Sequence, residues 1–312
     1  MECGTEALDL RSLGKEKPKS KHRIILDRSA FTTVPRFGNL KGALASVVPH
    51  RAEVLVTPRL LDETLKLWLD NPRSVEAREH LEFILRIGSP RWFNQPVEIS
   101  KLELCAYVLP DEYWFFLPSV QHSLEQKIMA SIEVGRVPPE GLRSVVREER
   151  KLANRLHERG VKLRSAMHVR DDWDSILEKW LNHYGQGAIA KKGIYQEGKK
   201  SVALNTWAGH KDRCPFFTAW VKGILYSDFY AAHYKGHKGL KIDEHAQADI
   251  EHLLYLEQAD VLVSEDKKFM RQAFIDLYRD RGKQYWTLGE LEQWASGSSD
   301  PVVAAASRSN WR

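Results

Sequence analysis

The sequence predicts an α/β fold, a central and mainly parallel sheet between helices, interrupted by a mostly helical insertion. Three observations carry this expectation. Short apolar runs occur towards both ends of the chain, and each is followed at once by an acid or a helix cap. Continuous apolar strands of this kind belong in a parallel sheet covered on both faces. Amphipathic helical patterns follow the runs, so strand and helix alternate, while the middle of the chain reads differently.

In chain order, residues 1–21 are a polar, basic leader. The first half of the core spans 22–89. There Ile24-Ile25-Leu26 leads into Asp27, and Glu53-Val54-Leu55-Val56 leads into Thr57-Pro58. Thr57 reads as an N-cap and Pro58 as the first helical residue. The helix that follows, RLLDETLKLWLD, puts Leu61, Leu65 and Trp68 on one face.

Residues 90–225 form the insertion. DDWDSILEKWLNHYG, SLEQKIMASIEVG and GLRSVVREERKLANRLHERG are helical patterns. QPVEISKLELCAYVLPDEYWFFLPS resists assignment, and QGAIAKKGIYQEGKKSVALNTWAGHKDR reads as a Gly- and Lys-rich loop. The second half of the core spans 226–296. A helix capped by Asp243 carries Ala246, Ile250, Leu253, Leu254 and Leu256 inward, and the strand Val261-Leu262-Val263 then runs into Ser264-Glu265-Asp266. An amphipathic KKFMRQAFIDLYRD comes next, then a short strand at Gln284–Trp286, with Thr287 capping LGELEQWA. Residues 297–312 are a Ser- and Ala-rich tail expected to fray.

Composition narrows the class. The 312 residues suit two domains or one domain with a large insertion. At 43% hydrophobic and 29% charged, a wholly disordered chain is excluded. Lys and Arg total 47 against 42 acids, a net charge of +5, which is compatible with a polyanionic partner. Cys3, Cys105 and Cys214 are widely spaced and read as buried thiols in a reducing compartment rather than a disulfide framework or zinc knuckle. The N-terminal stretch has no apolar h-region, and no run of about 18 apolar residues occurs, so the expectation is a cytoplasmic protein without a membrane span.

Asp27 and Asp266 sit at the carboxyl ends of predicted parallel strands, where active sites gather. Asp249 lies on the helix before the second of these strands, and Glu63 on the helix that starts at Pro58. Carboxylates brought to one point repel by roughly 1–4 kcal/mol per close pair. A cation relieves this, and an all-oxygen set favours Mg²⁺ or Mn²⁺. Such ions activate water and stabilise the leaving oxygen in phosphodiester hydrolysis. Singly, each acid has a plainer role: a strand-ending turn for Asp27, an N-cap for Asp266, a solvated helix acid for Glu63 beside Asp62, an ion pair for Asp249. Their joint arrangement is what points to a site.

His245, Asp249 and His252 share a helical stripe and form an alternative zinc set, but that set leaves Asp27 and Asp266 without a role; the plainer reading has the histidines flank the acidic site and contact substrate phosphate or solvent. Asp228 is a reserve ligand should Glu63 point away. Lys191, Lys192, Lys199 and Lys200 around Tyr195, with Lys235, Lys238 and Lys241 before the Asp249 helix, could hold a single strand through its phosphates and bases. The plainer alternative for both groups is a solvated loop.

HRIILDRSAF, then VLVTPRLLDETLKLW, then ADIEHLLYLEQADVLVSEDKKFM with YWTLGELEQW resembles the PIN-like nuclease family over 22–88 and 240–296. Asp249, Asp260, Ser264 and Asp266 fall at family-like spacing. The resemblance implies a PIN-like three-layer α/β/α sandwich and a Mg²⁺- or Mn²⁺-dependent (endo)ribonuclease acting on RNA or single-stranded nucleic acid. By motif position it gives Asp27, Glu63, Asp249 and Asp266 catalytic, metal-binding roles, and Ser264 the hydroxyl that orients Asp266 or a bound water. A toxin or defence role is plausible by the same resemblance. The alternatives are a non-cleaving nucleic-acid-binding module of this fold, or a protein regulated by a partner or inhibitor docked on the insertion.

Overall fold

The computed structural model describes residues 21–71, 73–87, 93–106, 165, 167, 172–233 and 246–297. All of the expected leader but Lys21 and most of the tail, the segment 107–164, the Asp243 cap, His245, Lys235, Lys238 and Lys241 lie outside the described residues.

Strand β1 (His22–Leu26) is followed by a short 3₁₀ turn at Arg28–Phe31 and helix α1 (Val34–Val47). Strand β2 (Ala52–Leu55), helix α2 (Pro58–Asp70) and helix α3 (Val75–Ile87) come next, then α4 (Pro96–Ala106). The middle continues with α5 (Trp173–Lys192), α6 (Lys200–Gly209) and α7 (Pro215–His233). The last portion holds α8 (Ala246–Leu254), β3 (Val261–Val263), α9 (Phe269–Leu277), β4 (Gln284–Trp286) and α10 (Leu288–Ala295). Among the described residues the strands form one four-stranded sheet in the order β2-β1-β3-β4, and every pairing is parallel. This is an α/β fold with an all-parallel sheet, as the apolar runs predict.

Alternation along each strand decides which helices cover which face. Ile24, Leu26, Val54, Val261, Val263 and Trp286 pack with residues of α1, α2, α3 and α10. Ile25, Leu55, Leu262 and Tyr285 point the other way, into a cluster built from α4 to α9. The described helices of the middle segment therefore form much of the cover of one face of the sheet. Burying each large apolar side chain contributes about 1.5–3 kcal/mol, so that cover is a principal part of the core.

Local chemistry explains the element ends. Thr57 accepts the Leu60 N–H at 3.2 Å and starts α2 with Pro at the first turn. Thr287 and Glu290 form a reciprocal capping box at the start of α10. Helix α7 is buried nearly all round, and its first turn donates Phe216 N–H and Phe217 N–H to the Glu103 carboxylate of α4 at 3.0 and 2.7 Å.

One expectation is overturned. The stretch from Gln186 to Arg213 is not a long loop: α5 runs on to Lys192 and α6 begins at Lys200. Four glycines in that stretch suggest a loop from sequence, but Gly185, just before it, is there for a close approach. A Cβ at Gly185 would lie 2.2 Å from the Trp207 ring, so only Gly lets α6 pack this tightly on α5. The connection is confined to 193–199, where Gly193 and Gly198 adopt positive φ. Among the described residues no helix is long and apolar enough to cross a membrane.

Candidate metal centre

Parallel strands bring their carboxyl ends to one edge, and strand order places the crevice. From β1 the chain moves one way to β2, while β3 lies on the other side of β1. The reversal falls between β1 and β3, the position where ligands bind in open α/β sheets. Asp27 follows β1 there, and Ser264, Glu265 and Asp266 follow β3. Thr57 follows β2 at the same edge and starts the helix that carries Glu63.

Asp27, Glu63 and His252 converge, each with one ligand atom within 4.8 Å of the others. His252 Nε2 lies 3.8 Å from Asp27 Oδ1 and 3.9 Å from Glu63 Oε2. All three side chains hold one polar atom on the protein and turn the other to the cluster. Asp27 Oδ2 accepts from the Ser264 hydroxyl at 2.7 Å, and from the Ser29 hydroxyl and amide. Glu63 Oε1 accepts from Arg59 Nε at 3.1 Å, one helical turn earlier. His252 Nδ1 is 3.2 Å from Thr57 Oγ1.

The serines tie the two strand ends together. Ser29 Oγ lies 3.0 Å from Ser264 Oγ and accepts the Glu265 N–H at 2.9 Å. Ser264 Oγ accepts the Asp266 N–H at 3.1 Å, so its hydroxyl contacts Asp27 and the Asp266 backbone. Glu265 turns away from the cluster and accepts the Leu288 N–H of α10 at 2.8 Å. Burial pushes the Glu63 carboxyl up, but His252 and Arg59 outweigh it and hold it down to about 2.

Asp249 and Asp266 lie outside the three-residue group, yet both are near. Asp249 is half-buried on α8, one turn before His252. Asp266 Oδ1 accepts the Lys268 N–H at 2.6 Å. Burial raises the Tyr285 phenol, and the charges of Asp27, Asp266 and Asp249 raise it further. Tyr285 donates to the Asp266 carbonyl at 2.6 Å, so this β4 residue stands among three of the four expected acids.

Asp260 has a structural role: its carboxylate accepts the Arg23 N–H at 2.9 Å, at the opposite end of the sheet. The reserve ligand Asp228 is buried on α7 and accepts from Tyr184 Oη at 2.6 Å, outside the group. Lys191, Lys192, Lys199 and Lys200 are exposed, on the end of α5 and the start of α6.

The zinc alternative sets His252 with His245 and Asp249; the fold puts it instead against the acids Asp27 and Glu63, as a flank of that site but within ligand distance of both. Its apolar neighbours Ile250, Leu253 and Leu254 were the available signal, because they mark that stretch of α8 as facing the core. Ser29, Tyr285 and the second role of Thr57 carry no sequence signature beyond their positions after or within strands.

No protein-family model, no curated protein and no solved structure matches this chain. The fold and the site thus define its class by themselves: an all-parallel α/β protein with a candidate metal centre at the carboxyl edge of its sheet.

Proposed function

We propose that the chain is a metal-dependent nuclease of PIN-like fold that hydrolyses phosphodiester bonds in RNA or another single strand. The observation that carries the reading is the convergence of Asp27 and Glu63 with His252 at the β1–β3 switch point. Two carboxylates in a crevice, each steadied by a second contact on its other oxygen, suit a hard dication such as Mg²⁺ or Mn²⁺. When bound, such an ion supplies a water of lowered pKa and offsets charge on the phosphate.

The chain's own residues do the rest. Ser29 and Ser264 fix Asp27 with Oδ1 towards the cluster, and Arg59 fixes Glu63 with Oε2 towards it. Asp249 and Asp266 add negative charge at the same edge, around Tyr285. The exposed lysines Lys267 and Lys268 beside Asp266, with the four on α5 and α6, provide cations for a phosphate backbone.

The test is incubation of labelled RNA and DNA with the pure protein under Mg²⁺, Mn²⁺ or EDTA. Cleavage should require the metal. Asp27→Asn and Glu63→Gln should each lower it on the order of 100-fold or more, the scale for removing an electrostatic catalytic group. Wild-type turnover in both folded variants would sink the reading.

A further inference from the structure

His252 is fully buried, and its Nε2 has no hydrogen-bond partner. A buried ring nitrogen left in that state is costly, on the order of 1–3 kcal/mol for a polar group without a partner. Here it is aimed between two carboxylate oxygens, at 3.8 and 3.9 Å. Ligand atoms about 2.1 Å from one ion stand roughly 3.0 Å apart at right angles and about 3.4 Å apart in a tetrahedron. The observed 3.8 and 3.9 Å are about 0.4–0.5 Å wider than the tetrahedral value and about 0.8–0.9 Å wider than the right-angle one, gaps that side-chain rotations would have to close.

We propose that His252 Nε2 completes, with Asp27 Oδ1 and Glu63 Oε2, a mixed nitrogen–oxygen site that binds a first-row transition dication in preference to Mg²⁺, and that Thr57 is the positioning residue for that imidazole. The inference rests on the metal-dependent reading above and specifies its ion. Imidazole suits transition ions, whereas Mg²⁺ takes oxygen ligands and keeps its waters.

The tautomer follows from the ligand role. An Nε2 that binds a metal carries no proton, so Nδ1 carries it and donates to Thr57 Oγ1. Thr57 is well placed to receive it, because its Oγ1 is already held by the Leu60 N–H at the start of α2. One hydroxyl thereby fixes both the imidazole and the helix that brings Glu63. Such outer contacts orient ligands and set their basicity. The rival occupant of the space is a proton on Nε2, which would make His252 a counter-charge to the two acids and nothing more.

The experiment measures binding of Mn²⁺, Zn²⁺ and Mg²⁺ alone by calorimetry, with pulsed electron paramagnetic resonance on the Mn²⁺ form. Mn²⁺ and Zn²⁺ should bind the wild type at least ~10-fold tighter than Mg²⁺, with a directly coordinated ¹⁴N seen on Mn²⁺. His252→Gln should lose the ¹⁴N coupling and most of that preference. Thr57→Val should keep the coupling and weaken Mn²⁺ binding by ~10–100-fold, the range for an outer-contact loss. The wild-type spectrum decides the matter even if a variant fails to fold.

Mn²⁺ bound without coupled nitrogen, or equal affinity for Mn²⁺ and Mg²⁺, would overturn the inference, and metal-dependent cleavage in the same preparation would leave the nuclease reading standing. Coupled nitrogen without cleavage would overturn the nuclease reading alone. No binding of any of the three ions would overturn both.

Discussion

Glu63 and Glu103 are the same residue, one half-buried and the other fully buried, and they meet opposite fates. Burial pushes both carboxyls up. At Glu63, His252 and the Arg59 guanidinium reverse the effect and bring it down to about 2. At Glu103 the neighbours are the Phe216 and Phe217 amides and the distant charge of Glu257, and the carboxyl stays up at about 8. Two N–H donors therefore do not replace a cation. One site keeps its charge in a crevice where chemistry is possible. The other gives it up to join α4 to the first turn of α7. A buried acid in this fold is a functional candidate only where positive or potentially positive partners converge on it.

The largest effect should come from removing the structural acid. Glu103→Ala leaves two buried N–H groups without acceptors and should destabilise the protein by roughly 2–5 kcal/mol in urea unfolding. Turnover per folded molecule should not change. Loss of turnover in the folded fraction would show that the two acids are not separable as described.

A pH series sharpens the contrast. For Glu103 the folded carboxyl sits at about 8 against an ordinary 4.5. Between those values the native chain holds the proton while the unfolded chain has released it. The contribution is thus complete below pH 4.5, erodes as pH rises, and is gone above about 8. Glu63 works in reverse, stabilising above 4.5 and losing that contribution as pH falls towards 2. The urea stability of wild type relative to Glu103→Gln should drop by roughly 1–3 kcal/mol from pH 5 to pH 9. A flat difference would mean that the two amides hold the carboxylate ionised.

The smallest effect concerns the cation beside Glu63. Arg59→Met removes an i,i+4 pair and should cost the metal-free protein about 0.5 kcal/mol, read as a small fall in melting temperature. It also removes a positive charge next to the site, so Mn²⁺ should bind slightly tighter. Weaker Mn²⁺ binding would show that Arg59 acts mainly by orienting Glu63.

The sheet was legible because its signals are local. Apolar runs of three or four residues, closed by Asp27, Thr57 or Ser264, mark three of the strands and the edge where the site lies. Helix α10 was legible for the same reason, since its capping box lies within four consecutive residues. The last turns of α5 and the whole of α6 were not, because the reason for Gly185 is Trp207 on another helix. The acids Asp27 and Glu63 could be placed by strand and helix position. The partnership of His252 could not, because helical spacing gives the stripe but not the strand end that the stripe meets.

The pairing of β1 with β3 has a consequence for the order in which the molecule comes into being. Ile24, Ile25 and Leu26 are laid beside Val261, Leu262 and Val263. During synthesis the first strand leaves the ribosome long before its neighbour, and closing so long a loop is slow. Asp27 then waits for Ser264, and Glu63 waits for His252. A nascent chain that has exposed both carboxylates still lacks the imidazole and the hydroxyl that organise them. Whatever chemistry this edge performs is withheld until synthesis has passed Ser264.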